Sequence, residues 1–139
     1  MRRLVITGPD PGAELHHGAE LVLADAHFPA ESVNSGVLRA DGLRIHDLRD
    51  AIMPLWVLDP YVDDPIVMMA PVEGDMLDQH VLARYRAAID RHAPEATATI
   101  FIPRFAFYER TRNAFAVVLT GETAKYGNIL IKKGVIPIP

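Results

Sequence analysis

Short apolar runs, separated by polar or proline-containing turns, recur along the whole chain. Several of these runs are apolar at consecutive positions, a pattern that is typical of strands covered on both faces of a sheet. The pattern predicts strands over residues 4–6, 20–25, 37–38, 56–58, 65–70, 98–102, 114–120 and 129–131.

Apolar residues at helical spacing lie between these strands. A helix over residues 45–52 is predicted to end at Pro54, and a longer one begins at the N-cap Asp78 and ends before Pro94. Shorter helices are predicted over 10–17 and 105–112. Because strands and helices alternate, we expect a single α/β domain over the whole chain: three layers, with a central, mostly parallel or mixed sheet and helices on both faces.

Composition narrows the possible classes of protein. Among the 139 residues 50% are hydrophobic and 23% are charged, so an extended disordered chain is excluded. The net charge of −4 offers no attraction for nucleic acid or an anionic membrane. There is no cysteine, which excludes disulfides and fits a cytoplasmic protein. The apolar run at the start is too short for a signal peptide, and no window could span a bilayer.

Three segments carry more polar and aromatic residues than a fold requires. They cover residues 17–27, 103–110 and 120–128; the first contains a predicted strand, and the other two each begin next to one. Polar groups at strand ends are a common way to build a site on a rigid scaffold. The third segment contains Lys125 between two glycines, but it lacks the Gly-Lys-Ser/Thr of a phosphate-binding loop.

Six short motifs lie in these segments and between them: Asp-Ala-His-Phe-Pro-Ala (25–30), Arg-Ala-Asp-Gly (39–42), Val-Met-Met-Ala (67–70), Val-Glu-Gly-Asp (72–75), residues 104–110 and Ala-Lys-Tyr-Gly-Asn-Ile-Leu (124–130). Together they resemble the fucose mutarotase / ribose pyranase family. The residues of the second and third segments are more similar to the fucose branch than to the ribose branch. The match extends over residues 15–135, nearly the whole chain.

The resemblance implies a ribose pyranase-like fold and a cofactor-free aldose mutarotase, which interconverts sugar anomers by opening and closing the ring. It also implies ring-shaped, decamer-type homo-oligomers with sites near the subunit interfaces. The family's proton-donating histidine corresponds to His17. The residues that correspond to its sugar-binding positions are Asp25, Arg104, Tyr126, Gly127 and Asn128.

The chemistry of these residue types suits that reaction. Ring opening removes a proton from the anomeric hydroxyl and delivers one to the ring oxygen, and an imidazole can do either near pH 7. Carboxylate, guanidinium and amide groups can bind the sugar hydroxyls. The 6-methyl group of fucose needs an apolar wall, for which Trp56, Phe105 and Phe107 are candidates by composition alone.

The sequence departs from the family at this histidine. The family reads Gly-His-Gly-Asp or Gly-His-Thr-Asp, whereas this chain reads His-His-Gly-Ala over residues 16–19. A carboxylate near a catalytic histidine fixes its tautomer and raises its basicity. Two candidates for that role remain open, Glu20 and His16.

The spacing between His17 and Asp25 has a consequence for assembly. The two residues bracket one strand, and eight extended residues span roughly 26–29 Å. Unless the chain folds back, His17 is far from the Asp25 of its own subunit. We therefore hypothesise that a neighbouring subunit completes each site.

Other interpretations of the same residues remain. The chain could be a sugar-binding or assembly protein with weakened catalysis. It could also be a metal enzyme using His16, His17, Asp25 and His27, but two adjacent histidines cannot easily bind one metal ion. Asp25 could simply cap a turn, Arg104 form an ion pair and Tyr126 fill the core. The remaining side chains of interest are predicted to be surface histidines (46, 80 and 92) or loop-capping carboxylates (Glu73 and Asp75).

Overall fold

The computed structural model describes residues 18–134, apart from the side chain of Leu55. Its strands are β1 (Glu20–Ala24), β2 (Val37–Ala40), β3 (Ile66–Met69), β4 (Ile100–Ile102), β5 (Ala116–Thr120) and β6 (Ile129–Lys132). Its helices are α1 (Ala30–Val33), α2 (Ile45–Ile52), α3 (Gln79–His92) and α4 (Arg104–Arg112), with one 3-10 turn at Met53–Leu55. The strand predicted over 4–6 and the helix predicted over 10–17 lie outside the described residues.

The strands form one mixed sheet in the order β2-β5-β1-β6-β3-β4. β1 and β2 both run parallel to β5, and β3 runs parallel to β4. β6 is antiparallel to β1 and β3, between which it lies. The predicted α/β class with a mostly parallel or mixed sheet is therefore confirmed. As a consequence of this order, β6 begins at the same edge of the sheet at which β1 and β3 end.

Alternate residues of the central strands supply two separate hydrophobic cores. In β1, Leu21 and Leu23 pack on one face with α2 and α3, whereas Val22 and Ala24 pack on the other with α1 and α4. All four side chains are fully buried, which explains why this strand reads as a continuous apolar run. The central strands are thus held from both faces, and their ends are rigid supports for polar side chains.

Several predicted elements differ from the structure. The strand predicted over 56–58 is wrong: Leu58 makes only an isolated bridge to Lys133. Short helix α1 was missed because the Phe28-Pro29 pair indicates a turn, and a four-residue helix carries no periodicity. Strand β5 begins two residues later than predicted. As predicted, the α-helix over 45–52 ends before Pro54, which lies in the 3-10 turn that follows.

The N-cap predicted for α3 is present. The Asp78 side chain accepts a hydrogen bond from the backbone N–H of His80 at 2.8 Å. The buried residues of α3 include Val81, Tyr85 and Ile89, which recur at helical spacing. Within residues 18–134 no helix is long and apolar enough to cross a membrane.

Candidate functional site

Polar side chains collect at the edge of the sheet where the parallel strands end. Asp25 follows β1 directly, Arg104 begins α4 just after β4, and Asn128 directly precedes β6. The register pairs Leu23 of β1 with Ile129 of β6, so the end of one strand lies beside the start of the other. Ligands of open α/β sheets bind in the crevice outside the carboxyl ends of the strands, which is where these residues meet.

A cleft of about 170 Å³ opens at this edge. Its polar lining consists of Asp25, His27, Asp75, Arg104, Lys125, Tyr126 and Asn128. Its apolar lining consists of Phe28, Pro29, Met69 and Tyr108. A small cleft that combines an apolar wall with convergent donors and acceptors is suited to a small polar molecule.

Asp25 is held by the turn that it starts. Its carboxylate Oδ1 accepts a hydrogen bond from the backbone N–H of His27 at 2.9 Å. Its own N–H donates to Oδ1 of Asn128 at 2.7 Å, which ties the end of β1 to the start of β6. Burial raises the pKa of the Asp25 carboxyl above its ordinary value, against the lowering effect of the His27 N–H. The carboxylate is therefore a partly desolvated acceptor that faces the cleft.

The segment between β5 and β6 is braced by a buried carboxylate. Glu122 is 4% exposed, and its Oε1 accepts hydrogen bonds from the backbone N–H groups of Thr123 and Ala124, each at 3.1 Å. The hydroxyl of Thr120 donates to the carbonyl oxygen of Ala24 at 2.7 Å and fixes this segment to β1. The third polar segment, residues 120–128, is thus an ordered support for the cleft.

Tyr126 reaches the cleft from a left-handed backbone conformation, with φ of 59°. Its hydroxyl donates to Oδ2 of Asp75 at 2.8 Å, and Lys125 Nζ lies 3.6 Å from Oδ1 of the same carboxylate. The hydrogen bond to Asp75 raises the pKa of the Tyr126 phenol. Asp75 is therefore part of the cleft, and its predicted role as a loop-capping residue was incomplete.

The cation of Arg104 is exposed at the start of α4. Its guanidinium lies 5.0 Å from the ring centre of Phe105, which is 73% exposed. None of the three aromatic residues predicted by composition as the apolar wall lines the cleft. Phe107 is fully buried beneath it, and Trp56 belongs to the core on the opposite face of the sheet. The wall comes instead from Phe28, Pro29, Met69 and Tyr108, with the rings of Phe28 and Tyr108 5.5 Å apart, edge to face.

The opposite edge of the sheet holds the residues next to the predicted catalytic histidine. His17 itself lies outside the described residues, as does His16. The backbone N–H of Gly18 donates to the carbonyl oxygen of Lys133 at 2.6 Å, beside the end of β6 and the start of β1. Glu20 Oε2 accepts from Arg110 at 2.5 Å, and Arg110 also donates to Asp64 at 2.7 Å. One of the two open candidates for the missing carboxylate, Glu20, is therefore already paired with Arg110.

The cleft brings together four of the five predicted sugar-binding side chains: Asp25, Arg104, Tyr126 and Asn128. The fifth position, Gly127, is buried behind them and contributes backbone alone. His27, Asp75 and Lys125 also line the cleft. The sequence analysis named His27 only as a possible metal ligand and Asp75 only as a loop-capping residue, and it gave Lys125 no role. The signal was available, since all three lie inside motifs that carry the family resemblance. Among the described residues, no three histidine or carboxylate side chains cluster in a way that could hold a metal ion.

Three comparisons relate the chain to known proteins. A family model described as the RbsD / FucU transport protein family matches residues 12–136. The crystal structure of the fucose mutarotase from Streptococcus pneumoniae, in complex with L-fucose, is 41% identical; the match covers 88% of this chain and 87% of that one, with a TM-score of 0.84. FucU from Bifidobacterium longum is 39% identical over 88% of both chains, with a TM-score of 0.83.

A more distant structure shares the fold alone. Bacillus subtilis RbsD, solved with D-ribose, is 22% identical over 88% of this chain and 87% of its own, with a TM-score of 0.65.

Proposed function

The chain belongs to the RbsD / FucU family, and on that premise we propose that it is an aldose mutarotase acting on L-fucose or a related sugar. Such an isomerase interconverts the α and β anomers by opening and closing the ring. The relatives at 39–41% identity, one of them a fucose mutarotase solved with L-fucose, support this activity. The observation that carries the proposal is the cleft that unites Asp25, Arg104, Tyr126 and Asn128.

The described side chains suggest how a sugar is held. The Asp25 carboxylate accepts hydrogen bonds from hydroxyl groups, and the Arg104 guanidinium donates a pair in a fixed fork. Asn128 offers its amide N–H group, because its oxygen already accepts from the Asp25 N–H. The Tyr126 phenol donates its hydrogen bond to Asp75, so its oxygen is left to accept a hydrogen bond from a sugar hydroxyl. His17 is proposed as the proton donor, as the family resemblance implies.

The position of Gly18 supports a site shared between subunits. Gly18 and Asp25 lie at opposite edges of the sheet, and the seven intervening steps of extended chain span roughly 23 Å. His17 directly precedes Gly18 in the sequence, and consecutive Cα atoms are only about 3.8 Å apart, a short distance compared with that span. We therefore propose that a neighbouring copy in a ring-like homo-oligomer supplies His17.

The proposal includes a cytoplasmic location, which rests on the cysteine-free sequence.

A second candidate is a sugar-binding relative with weakened catalysis. It is favoured by Ala19, which is buried where the family carries an aspartate, and by the pairing of Glu20 with Arg110. In this candidate, neither carboxylate would be available to raise the basicity of the His17 imidazole.

Anomer exchange measured by NMR saturation transfer separates the two candidates. We expect the wild type to accelerate exchange of L-fucose over buffer, with D-ribose and D-galactose as comparison sugars. His17→Ala should abolish the acceleration but retain L-fucose binding, because the cleft is intact. Arg104→Ala should lose both. Binding without acceleration in the wild type would favour the second candidate, and neither binding nor acceleration with any sugar would refute the proposal.

The apolar wall supports a preference for a 6-deoxy sugar. Phe28 and Met69 line the cleft with side chains that form no strong hydrogen bonds. The phenol hydroxyl of Tyr108 is the one strong hydrogen-bonding group among these three side chains. L-Galactose is L-fucose with a hydroxyl on C6, so the pair isolates one group. An apolar pocket rejects an added hydroxyl by up to about 100-fold, and we expect kcat/KM to fall about tenfold for L-galactose. Equal values for the two sugars would mean that C6 does not face this wall.

A further inference from the structure

Tyr85 does not line the cleft, but it contacts the segment that carries the cleft residues Tyr126 and Asn128. Tyr85 of α3 is 2% exposed, and its hydroxyl donates to the carbonyl oxygen of Gly127 at 2.7 Å. Gly127 lies between Tyr126 and Asn128. We propose that Tyr85 is a positioning residue that sets the orientation of these two cleft residues through the Gly127 peptide. The inference rests on the proposed function.

The backbone at this point requires support from its surroundings. Tyr126 has a positive φ, a conformation that a bulky residue holds only where the surrounding structure imposes it. The N–H of Gly127 donates to the carbonyl oxygen of Ala124 at 3.2 Å, which closes a turn around Tyr126. A Cβ atom at Gly127 would lie 3.0 Å from that oxygen and 3.2 Å from the Tyr85 hydroxyl. The hydroxyl therefore packs directly against a position at which any side chain would be crowded.

The Gly127 carbonyl is coupled to the far side of the cleft. It belongs to the same peptide unit as the N–H of Asn128, so rotation of that unit turns both residues. The Asn128 side chain in turn accepts from the Asp25 N–H at 2.7 Å. A chain of contacts thus runs from Tyr85 through Gly127 and Asn128 to Asp25. Loss of the hydroxyl leaves a buried carbonyl without its partner, and the peptide unit gains freedom to rotate.

The other side of Tyr85 fixes the direction of its hydroxyl. The guanidinium of Arg49 lies 5.2 Å from the ring centre, and both side chains are buried between α2, α3 and the sheet. The ring is therefore enclosed, with its hydroxyl directed at the carbonyl oxygen of Gly127. Burial raises the pKa of the Tyr85 phenol, so the group remains a hydrogen-bond donor throughout the pH range in which the protein would be assayed.

The substitution Tyr85→Phe removes one oxygen and keeps the ring, and Ile89→Val is its matched control. Ile89 is 1% exposed, lies one turn further along α3 and packs in the same core without touching the cleft. In saturation-transfer assays with L-fucose, we expect Tyr85→Phe to raise KM at least fivefold and lower kcat/KM about tenfold. Ile89→Val should keep both values within twofold, although the melting temperatures of the two variants fall by similar amounts. Unchanged KM and kcat/KM in Tyr85→Phe would overturn the proposal.

Hydrogen exchange followed by mass spectrometry tests the same contact without any activity. In Tyr85→Phe, we expect faster exchange in peptides that cover residues 20–28 and 120–132, because Asp25, Asn128 and Gly127 are linked. The control should exchange as the wild type does in both peptides. If the wild type proves to have no mutarotase activity, the proposed function fails while this measurement still decides the role of Tyr85. Exchange unchanged from the wild type would refute it.

Discussion

At the scale of single residues, the Asp25 carboxylate combines two opposing effects. Burial destabilises the ionised form of the carboxyl. The hydrogen bond from the N–H of His27, with an N···O distance of 2.9 Å, offsets part of this destabilisation. The balance lies on the side of burial, because the pKa is raised from its ordinary value of 3.8. A charge kept in a desolvated position at a stability cost is typical of a functional site.

We expect Asp25→Asn to be more stable than the wild type at pH 7 but defective in sugar binding. Because folding raises the pKa of Asp25, ionisation of this carboxyl destabilises the folded protein. Stability is lost as the pH rises from about 4 through the folded-state pKa, and this loss persists at higher pH. The amide retains an oxygen for the His27 N–H but carries no charge. L-Fucose affinity should fall roughly 10–100-fold, as expected for loss of a charged hydrogen bond.

Thermal unfolding measured between pH 3 and 8 checks this prediction. The stability advantage of Asp25→Asn should vanish at the acidic end, where the wild-type carboxyl is protonated in both the folded and unfolded states. A variant that is less stable than the wild type at pH 7 would show that the carboxylate gains more from its hydrogen bonds than it loses by burial.

At the scale of elements, the packing of α2 against α3 contains an unusual buried cation. Arg49 is 0% exposed, and none of its guanidinium nitrogens has a hydrogen-bond partner among the described residues. Burial lowers its pKa to about 10. Its ring contact with Tyr85 at 5.2 Å and the negative charge of Asp50 are favourable interactions that offset part of this effect. Such a contact is worth about 2 kcal/mol when desolvated, less than the usual cost of burying a charge.

We therefore expect Arg49→Met to leave the free energy of unfolding unchanged or to raise it by about 1 kcal/mol. Methionine is flexible enough to fill the same space on the Tyr85 ring without a charge. Urea unfolding of both proteins at pH 7 measures the difference. A loss of more than about 2 kcal/mol would mean that an acceptor outside residues 18–134 pairs with the guanidinium.

At the scale of the whole molecule, the two edges of the sheet carry different parts of the proposed site. The cleft lies at the carboxyl edge, and Gly18 lies at the amino edge beside Lys133. A closed ring of identical subunits can place one edge of each subunit against the other edge of its neighbour, because head-to-tail contacts generate rings. Catalysis would then depend on assembly.

Mixed oligomers test this arrangement. His17→Ala and Arg104→Ala chains, each inactive alone, are denatured together in equal amounts and refolded. If every site takes His17 from one subunit and Arg104 from the next, random mixing restores both groups in about one quarter of the sites. We expect mutarotase activity of about that fraction of the wild type. Mixing after each variant has assembled separately is the control, and no recovery in the refolded mixture would place all groups of the site in one chain.

The sequence predicted the candidate site less completely than the fold. The motifs identified the family correctly and led to four side chains that share one cleft. They did not reveal Asp75 as the partner of the Tyr126 phenol or Tyr85 as the support of Gly127, because these contacts join residues 51 and 42 positions apart. Composition alone suggested Trp56 as a wall of the cleft, and the structure buries it on the other face. The roles of His17 and of the cleft residues stay predictions.

The sequence by itself determined the alternation of strands and helices, since apolar periodicity is a local property that each segment carries. It also determined that polar groups follow the strands, and that the chain belongs to the RbsD / FucU family. Only the tertiary structure decided that β6 enters between β1 and β3 in the opposite direction, so that Asn128 meets Asp25. Strand order depends on packing between distant segments, and no local pattern encodes it. The same packing set Gly18 and the cleft at opposite edges of the sheet, which is why we expect the proposed site to need a second subunit.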